Sequence, residues 1–292
     1  MNHSTFVADS ENLPTVHYSH ESELRRPDKL LTAIFQDLWK FRELSWVLFT
    51  RDLKAQYRQS YLGYFWLFAP VVATTVIWFF LNSSQVVDIR ETSIPYPAYV
   101  LVGSLIWTVF AASVHQPLLS FNAAQSVLSK LRVPPETFIL SGVGKILFEM
   151  LIRLLILVPV FLLLKIPLAV TAPLFFVGLA CTILTGLSIG LLLVPVGALY
   201  TDVSRIIEVG LGFGMYLAPV IYPPPVSGFA SRLVNLNPAT PLVVVTRDWL
   251  TQGHSPYVSQ MMLISIAGSL VLVFGLIVFR IALPRLIERQ GM

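Results

Sequence analysis

The chain has 292 residues, of which 55% are hydrophobic and only 12% charged, with a mean hydropathy of +0.72 and a net charge of +4. A soluble globular domain carries about 25% charged residues, so the composition excludes a soluble fold and specifies an all-α integral membrane protein. A single cysteine, Cys181, rules out an internal disulfide, and the net charge has meaning only through where the cations fall.

Residues 1–32 are polar, with no apolar run preceded by positive charge. No cleaved signal is expected, and the segment reads as a flexible cytoplasmic tail ahead of one membrane domain over residues 33–292. Residues 33–61 predict a helix lying in the membrane interface. On a helical wheel Gln36, Lys40, Glu43, Thr50, Arg51, Lys54 and Arg58 share one arc of about 100°, and apolar residues such as Trp39, Trp46, Leu48 and Phe49 cover most of the rest. Arg51, Lys54 and Arg58 would then sit at phosphate depth, either as a plain anchor or as ligands for an anionic lipid head.

Six apolar segments follow, near residues 63–81, 97–118, 146–164, 172–199, 206–222 and 258–279, each close to the roughly 20 residues a helix needs to cross a bilayer. The fifth carries Glu208 and Pro219. Fifteen Lys/Arg fall in the N-terminal segment, the 2–3 and 4–5 loops and the C-terminal tail, against four in the opposite loops, and Arg153 lies within a span. This bias places both termini in the cytoplasm. Between spans 5 and 6, proline breaks a partly apolar stretch; it predicts either an ordered loop or two short re-entrant helices buried by protein.

Several chemistries lack their residues. SGVGKIL over Ser141–Leu147 imitates a phosphate-binding loop, but Ile139 stands where its first glycine belongs and Ile146 where Ser or Thr should follow Lys145. The histidines His3, His17, His20, His115 and His254 have no metal-ligand spacing. Lys145, Glu149 and Arg153, at i, i+4, i+8, read as a pairing ladder at the inner end of span 3. A membrane transferase would need carboxylates or histidines on one face, whereas Asp88, Glu91, Asp248 and His254 are scattered. Gly186/Gly190 and Gly210/Gly214 have the spacing of close helix contacts. Trp107 and Tyr216 lie too deep for an interfacial belt, in either a packed core or a pore that stacks sugars.

The order of RDLKAQYRQSYLG, an aromatic first span, PYPAYVLVGSLIW, LAPVIYP over Leu217–Pro223, LNP over Leu236–Pro238 and TRDWLTQG resembles the permease subunit of type-2 ABC polysaccharide exporters, which move O-antigen, capsule or teichoic acid. The similarity runs from about residue 34 to the C-terminal tail. It implies a non-enzymatic homodimer in the bacterial inner membrane, joined to two copies of a separate ATPase that carries ATP and magnesium. Its cargo would be a polysaccharide on undecaprenyl diphosphate. Arg51, Lys54, Tyr57 and Arg58 would form the lipid-diphosphate gate. Phe65, Trp66, Trp107, Phe110, Phe213 and Tyr216 would line the glycan channel. A short helix over 124–136, with Ser129, Lys130, Leu131, Arg132, Pro134 and Glu136, would dock the ATPase. Gln56, Pro135 and Thr201 depart from the family pattern. The alternative within the same architecture is a type-2 permease for a drug or lipid, with a mostly aliphatic channel.

Overall fold

The computed structural model describes residues 36–58, 61–86, 92–128, 134, 136–225 and 227–290, so the N-terminal tail lies outside the described residues. Among those described, regular structure is helical throughout. A helical stretch over residues 36–40 precedes α1 (Arg42–Tyr57), α2 (Phe65–Ser83), α3 (Tyr96–Leu128), α4 (Glu136–Leu154), α5 (Leu157–Leu163), α6 (Leu174–Leu199), α7 (Asp202–Leu217), α8 (Gly228–Leu236), α9 (Ala239–Thr251) and α10 (Val258–Gln290). Among the described residues, five segments are long and apolar enough to cross a membrane: α2, Tyr96–Ala124 of α3, α4 with α5, α6, and Val258–Arg280 of α10. The chain is a multi-pass membrane protein.

α3 is the central element. In its apolar window 78% of residues are buried, against 11% for α2, so α2 lies at the periphery. α3 packs most extensively on α6. Gly186, Gly190 and Gly197 make that approach possible: a Cβ at Gly186 would stand 2.5 Å from Cβ of Ser113, and one at Gly197 2.6 Å from Leu118. The second glycine pair behaves differently. Nothing lies within 4 Å of a Cβ at Gly210, and one at Gly214 would lie 3.1 Å from the Trp107 ring.

One end of the bundle gathers the charges. Asp52 of α1 pairs with Lys145 of α4 at 3.2 Å. Arg280 of α10 reaches Asp37 at 3.1 Å and the buried Glu136 at 3.5 Å. Phe49 of α1 and Tyr64, at the start of α2, pack on α4, 6.2 Å and 5.8 Å from the Phe148 ring. Gly63, at φ +48°, turns the chain from α1 into α2, a conformation that costs a side-chain-bearing residue more than glycine.

Several boundaries differ from expectation. The third span begins at Glu136, ten residues before the predicted start, because Glu136 and Lys145 are paired inside the fold rather than marking a loop. The predicted separate helix over 124–136 gives way to a continuous α3 that runs to Leu128 and an α4 that opens at Glu136; residues 129–133 and 135 lie outside the described residues. The fifth predicted span is helical over Asp202–Leu217, 16 residues, about 24 Å at 1.5 Å per residue. It stops at Ala218 in extended backbone, just ahead of Pro219, so it is shorter than predicted and absent from the five spans. In α1, apolar residues occupy two faces instead of one. Leu44, Leu48 and Phe49 pack inward, while Trp39, Trp46 and Val47 are exposed, and the helix is interrupted at Phe41.

Candidate translocation groove

A groove of about 680 Å³ opens between α2, α3, α4 and α7. Its floor is one stripe of α3: Ser104, Trp107, Thr108, Ala111, Ala112, His115, Gln116, Leu119 and Ala123. These recur at helical spacing, so they share a face. Nineteen steps from Ser104 to Ala123 give a length of about 28 Å at 1.5 Å per residue, close to a bilayer's hydrocarbon thickness of about 30 Å. The alanines leave the concavity, and Thr108, His115 and Gln116 supply polar edges. α2 contributes Pro70, Val71 and Thr74, and α7 contributes Glu208, Leu211, Gly212 and Met215.

Charge concentrates at one end, where Gln56 of α1 and Lys145 and Glu149 of α4 line the mouth. Each neighbour is fixed. Glu149 accepts from Arg153 at 2.9 Å, and the Arg153 Nε donates to the Leu67 carbonyl at 3.3 Å, tying α4 to α2. His115 Nε2 lies 2.9 Å from the Ser204 hydroxyl, which tethers α3 to α7. Gln116 donates to Ser120 at 3.1 Å. Glu208 is exposed and makes no ion pair among the described residues. Amide, hydroxyl and carboxylate groups thus alternate with apolar surface along a track of about membrane length.

The residues singled out in the sequence fall in three sets. Of the aromatics, Trp107 lines the groove; its ring lies 5.4 Å from Phe110, which is buried behind it against α6. Phe65, Trp66, Phe213 and Tyr216 are exposed on α2 and α7 outside the groove, with Tyr216 6.3 Å from the Trp78 ring. Of the basic set, Arg51 is bonded to its neighbour Asp52 at 2.9 and 3.0 Å, Lys54 and Arg58 are exposed, and the side chain of Tyr57 lies outside the described residues. Of the docking set, Ser129, Lys130, Leu131 and Arg132 lie outside the described residues and Pro134 is half-buried. Glu136 turns inward to Arg280.

Thr74, Ser104, Thr108 and Gln116 line the groove without having been singled out in the sequence, and Glu208 had been noted only as a charge in the fifth span. A signal was present: serine, threonine, alanine, histidine and glutamine recur every three to four residues through the second span, a polar stripe on an otherwise apolar helix.

The apolar spans define a multi-pass membrane protein with a groove of mixed polar and apolar lining along its central helix. Residues 43–250 match the model of the ABC-2 type transporter family, and the chain belongs to that family. Among curated proteins it is similar to the O-antigen export system permease protein RfbA of Klebsiella pneumoniae, 24% identical over 240 residues, covering 80% of this chain and 89% of the relative. It is also similar to the protein of the same description from Myxococcus xanthus, 25% identical over 202 residues, covering 66% and 73%. A second Klebsiella pneumoniae relative of that description is 21% identical over 239 residues. The resemblance carried by the sequence motifs agrees with both the family and these relatives.

Proposed function

We propose that the chain is the membrane-spanning subunit of an ATP-driven exporter of undecaprenyl-diphosphate-linked polysaccharide, O-antigen in the first instance. Two copies face one another in the bacterial inner membrane with both termini in the cytoplasm. A separate ATPase, present twice, binds ATP and magnesium and docks at the segment around residues 129–134. The short α7 serves as the fifth of six spans, its depth completed by the irregular chain after it, and α8 and α9 dip into the outer leaflet. The glycan moves through the channel formed where the two grooves meet.

The observation that carries this reading is the groove, whose apolar surface is broken by Thr74, Thr108, His115, Gln116 and Glu208. Lys145 and Glu149 are paired with Asp52 and Arg153 at the mouth, which leaves His115 and Glu208 on the track, and an ionisable side chain at membrane depth costs about 2.5–3.5 kcal/mol when it faces lipid. Such a track needs water and protein around it, and a second copy placed groove to groove supplies both. Its hydroxyl and amide edges fit sugar better than a drug or acyl chain, and the names of the relatives point the same way. α1 brings Gln56 to the charged mouth, and Lys54 and Arg58 on its exposed surface would meet the diphosphate, each worth about 1 kcal/mol near an anionic surface.

Cells lacking the chain test the proposal. Lipid-linked glycan should accumulate inside while the surface becomes bare. Wild type should reverse both, and the triple variant Arg51→Ala/Lys54→Ala/Arg58→Ala, present at normal level, should not. A normal surface with no internal accumulation would contradict export. Full rescue by the triple variant would reduce the basic face to an anchor.

A further inference from the structure

After α7 the chain runs without helix through Ala218–Tyr222, where Ala218, Val220 and Ile221 are buried. Buried irregular backbone needs donors, and two helices provide them. Arg247 of α9 donates Nη1 to the Pro219 carbonyl at 3.1 Å. Tyr96 and Tyr99 of α3 donate their hydroxyls to Ile221 and Tyr222 carbonyls, each at 3.1 Å. The Val220 carbonyl lies against Gly103, where a Cβ would collide with it. Four successive carbonyls are thus each held or seated by a specific residue. These residues belong to PYPAYVLVG, LAPVIYP and TRDW, stretches far apart in sequence.

Arg247 is an expensive way to satisfy one carbonyl. It is 1% exposed, its guanidinium lies 3.6 Å over the Tyr99 ring, and its Nε has no hydrogen-bond partner among the described residues. A neutral donor would satisfy Pro219 without burying a cation. What Arg247 adds is rigidity: it clamps the strap and Tyr99, itself a donor to the strap, in one unit. The location gives that clamp a purpose. The groove floor ends at Ser104, and the strap's Val220 carbonyl meets α3 at Gly103, one residue beyond that last lining residue and away from the charged mouth.

We infer that Arg247 is a positioning residue that keeps Pro219–Tyr222 closed over the outer end of the groove, and that releasing the Pro219 carbonyl opens this end. The inference rests on the groove being the transport path. The test is passive efflux of carboxyfluorescein from proteoliposomes holding the full-length chain, without ATP. Loss of a charged donor should raise the open population about ten- to hundredfold, and loss of a neutral hydroxyl about three- to tenfold. Arg247→Met should therefore leak most, Arg247→Lys less and Tyr96→Phe least, all above wild type. Wild-type efflux from Arg247→Met inserted at equal amount would overturn the inference. Should Arg247→Met fail to insert, Tyr96→Phe decides: raised efflux supports the clamp and unchanged efflux refutes it. Because the dye is not the cargo, this result is independent of whether cells lacking the chain retain surface glycan.

Discussion

The α3–α6 contact predicts opposite outcomes for two glycines of the same type in the same kind of helix. A methyl at Gly190 would point at the Val114 carbonyl, with Val114 C and Pro117 Cγ only 3.0 Å away. Carbon atoms rest at about 3.5–4.0 Å, so the helices must part locally by about 0.5–1 Å. Two of the obstructing atoms are backbone, which cannot rotate aside. Overpacking of this kind costs about 1–3 kcal/mol. A methyl at Gly210 meets nothing within 4 Å. Both substitutions gain the same helix preference of alanine over glycine, about 1 kcal/mol, so that contribution cancels in the comparison. Gly190→Ala should be less stable than Gly210→Ala by about 1–3 kcal/mol, with Gly210→Ala at or above wild type. Equilibrium unfolding in mixed micelles, titrated with a denaturing detergent, measures the difference. Equal stability of the two variants, or a more stable Gly190→Ala, would refute the packing argument.

Two further outcomes follow from the groove and its mouth. Ala111→Trp places an indole halfway along the α3 floor, and should abolish surface polysaccharide at normal protein level, read by staining intact cells. Arg153→Met removes the partner of Glu149, whose side chain is 17% exposed. It should destabilise by about 2–3 kcal/mol, less than the 3–5 of a fully buried pair. The Arg153→Met/Glu149→Gln double variant should recover most of that loss in the same unfolding assay.

Length and apolarity made the membrane-spanning class and most spans legible, since a run such as Leu174–Leu199 has no other stable environment. Charge misled where it is paired. Glu136 and Lys145 fell ahead of the predicted third span, yet Arg280 and Asp52 neutralise them inside the helix that forms it. These partners are distant in sequence, and only tertiary packing brings them together. Of the residues that the resemblance assigns to a channel between two copies, Trp107 lines the groove of one chain, while Phe65, Trp66, Phe213 and Tyr216 lie exposed outside it, and the rest of the groove floor is small, hydroxylated and other residues on α3. The spacing of Ser104, Thr108, Ala111 and His115 contained that information, diluted by the bulky apolar residues between them. The motifs PYPAY, LAPVIYP and TRDW were legible as family signatures but not as parts of one clamp, because nothing local says that Arg247 faces the Pro219 carbonyl.

The central claim is that glycan passes along the α3 stripe. A photoreactive benzoylphenylalanine at Thr108, on the groove floor, or at Leu270, on the exposed face of α10, distinguishes the alternatives in living cells. Illumination should attach polysaccharide to the chain from Thr108 and not from Leu270, detected as a glycan-reactive ladder on the purified protein. Attachment from Leu270 alone, or none from Thr108 in cells that are actively exporting, would contradict it.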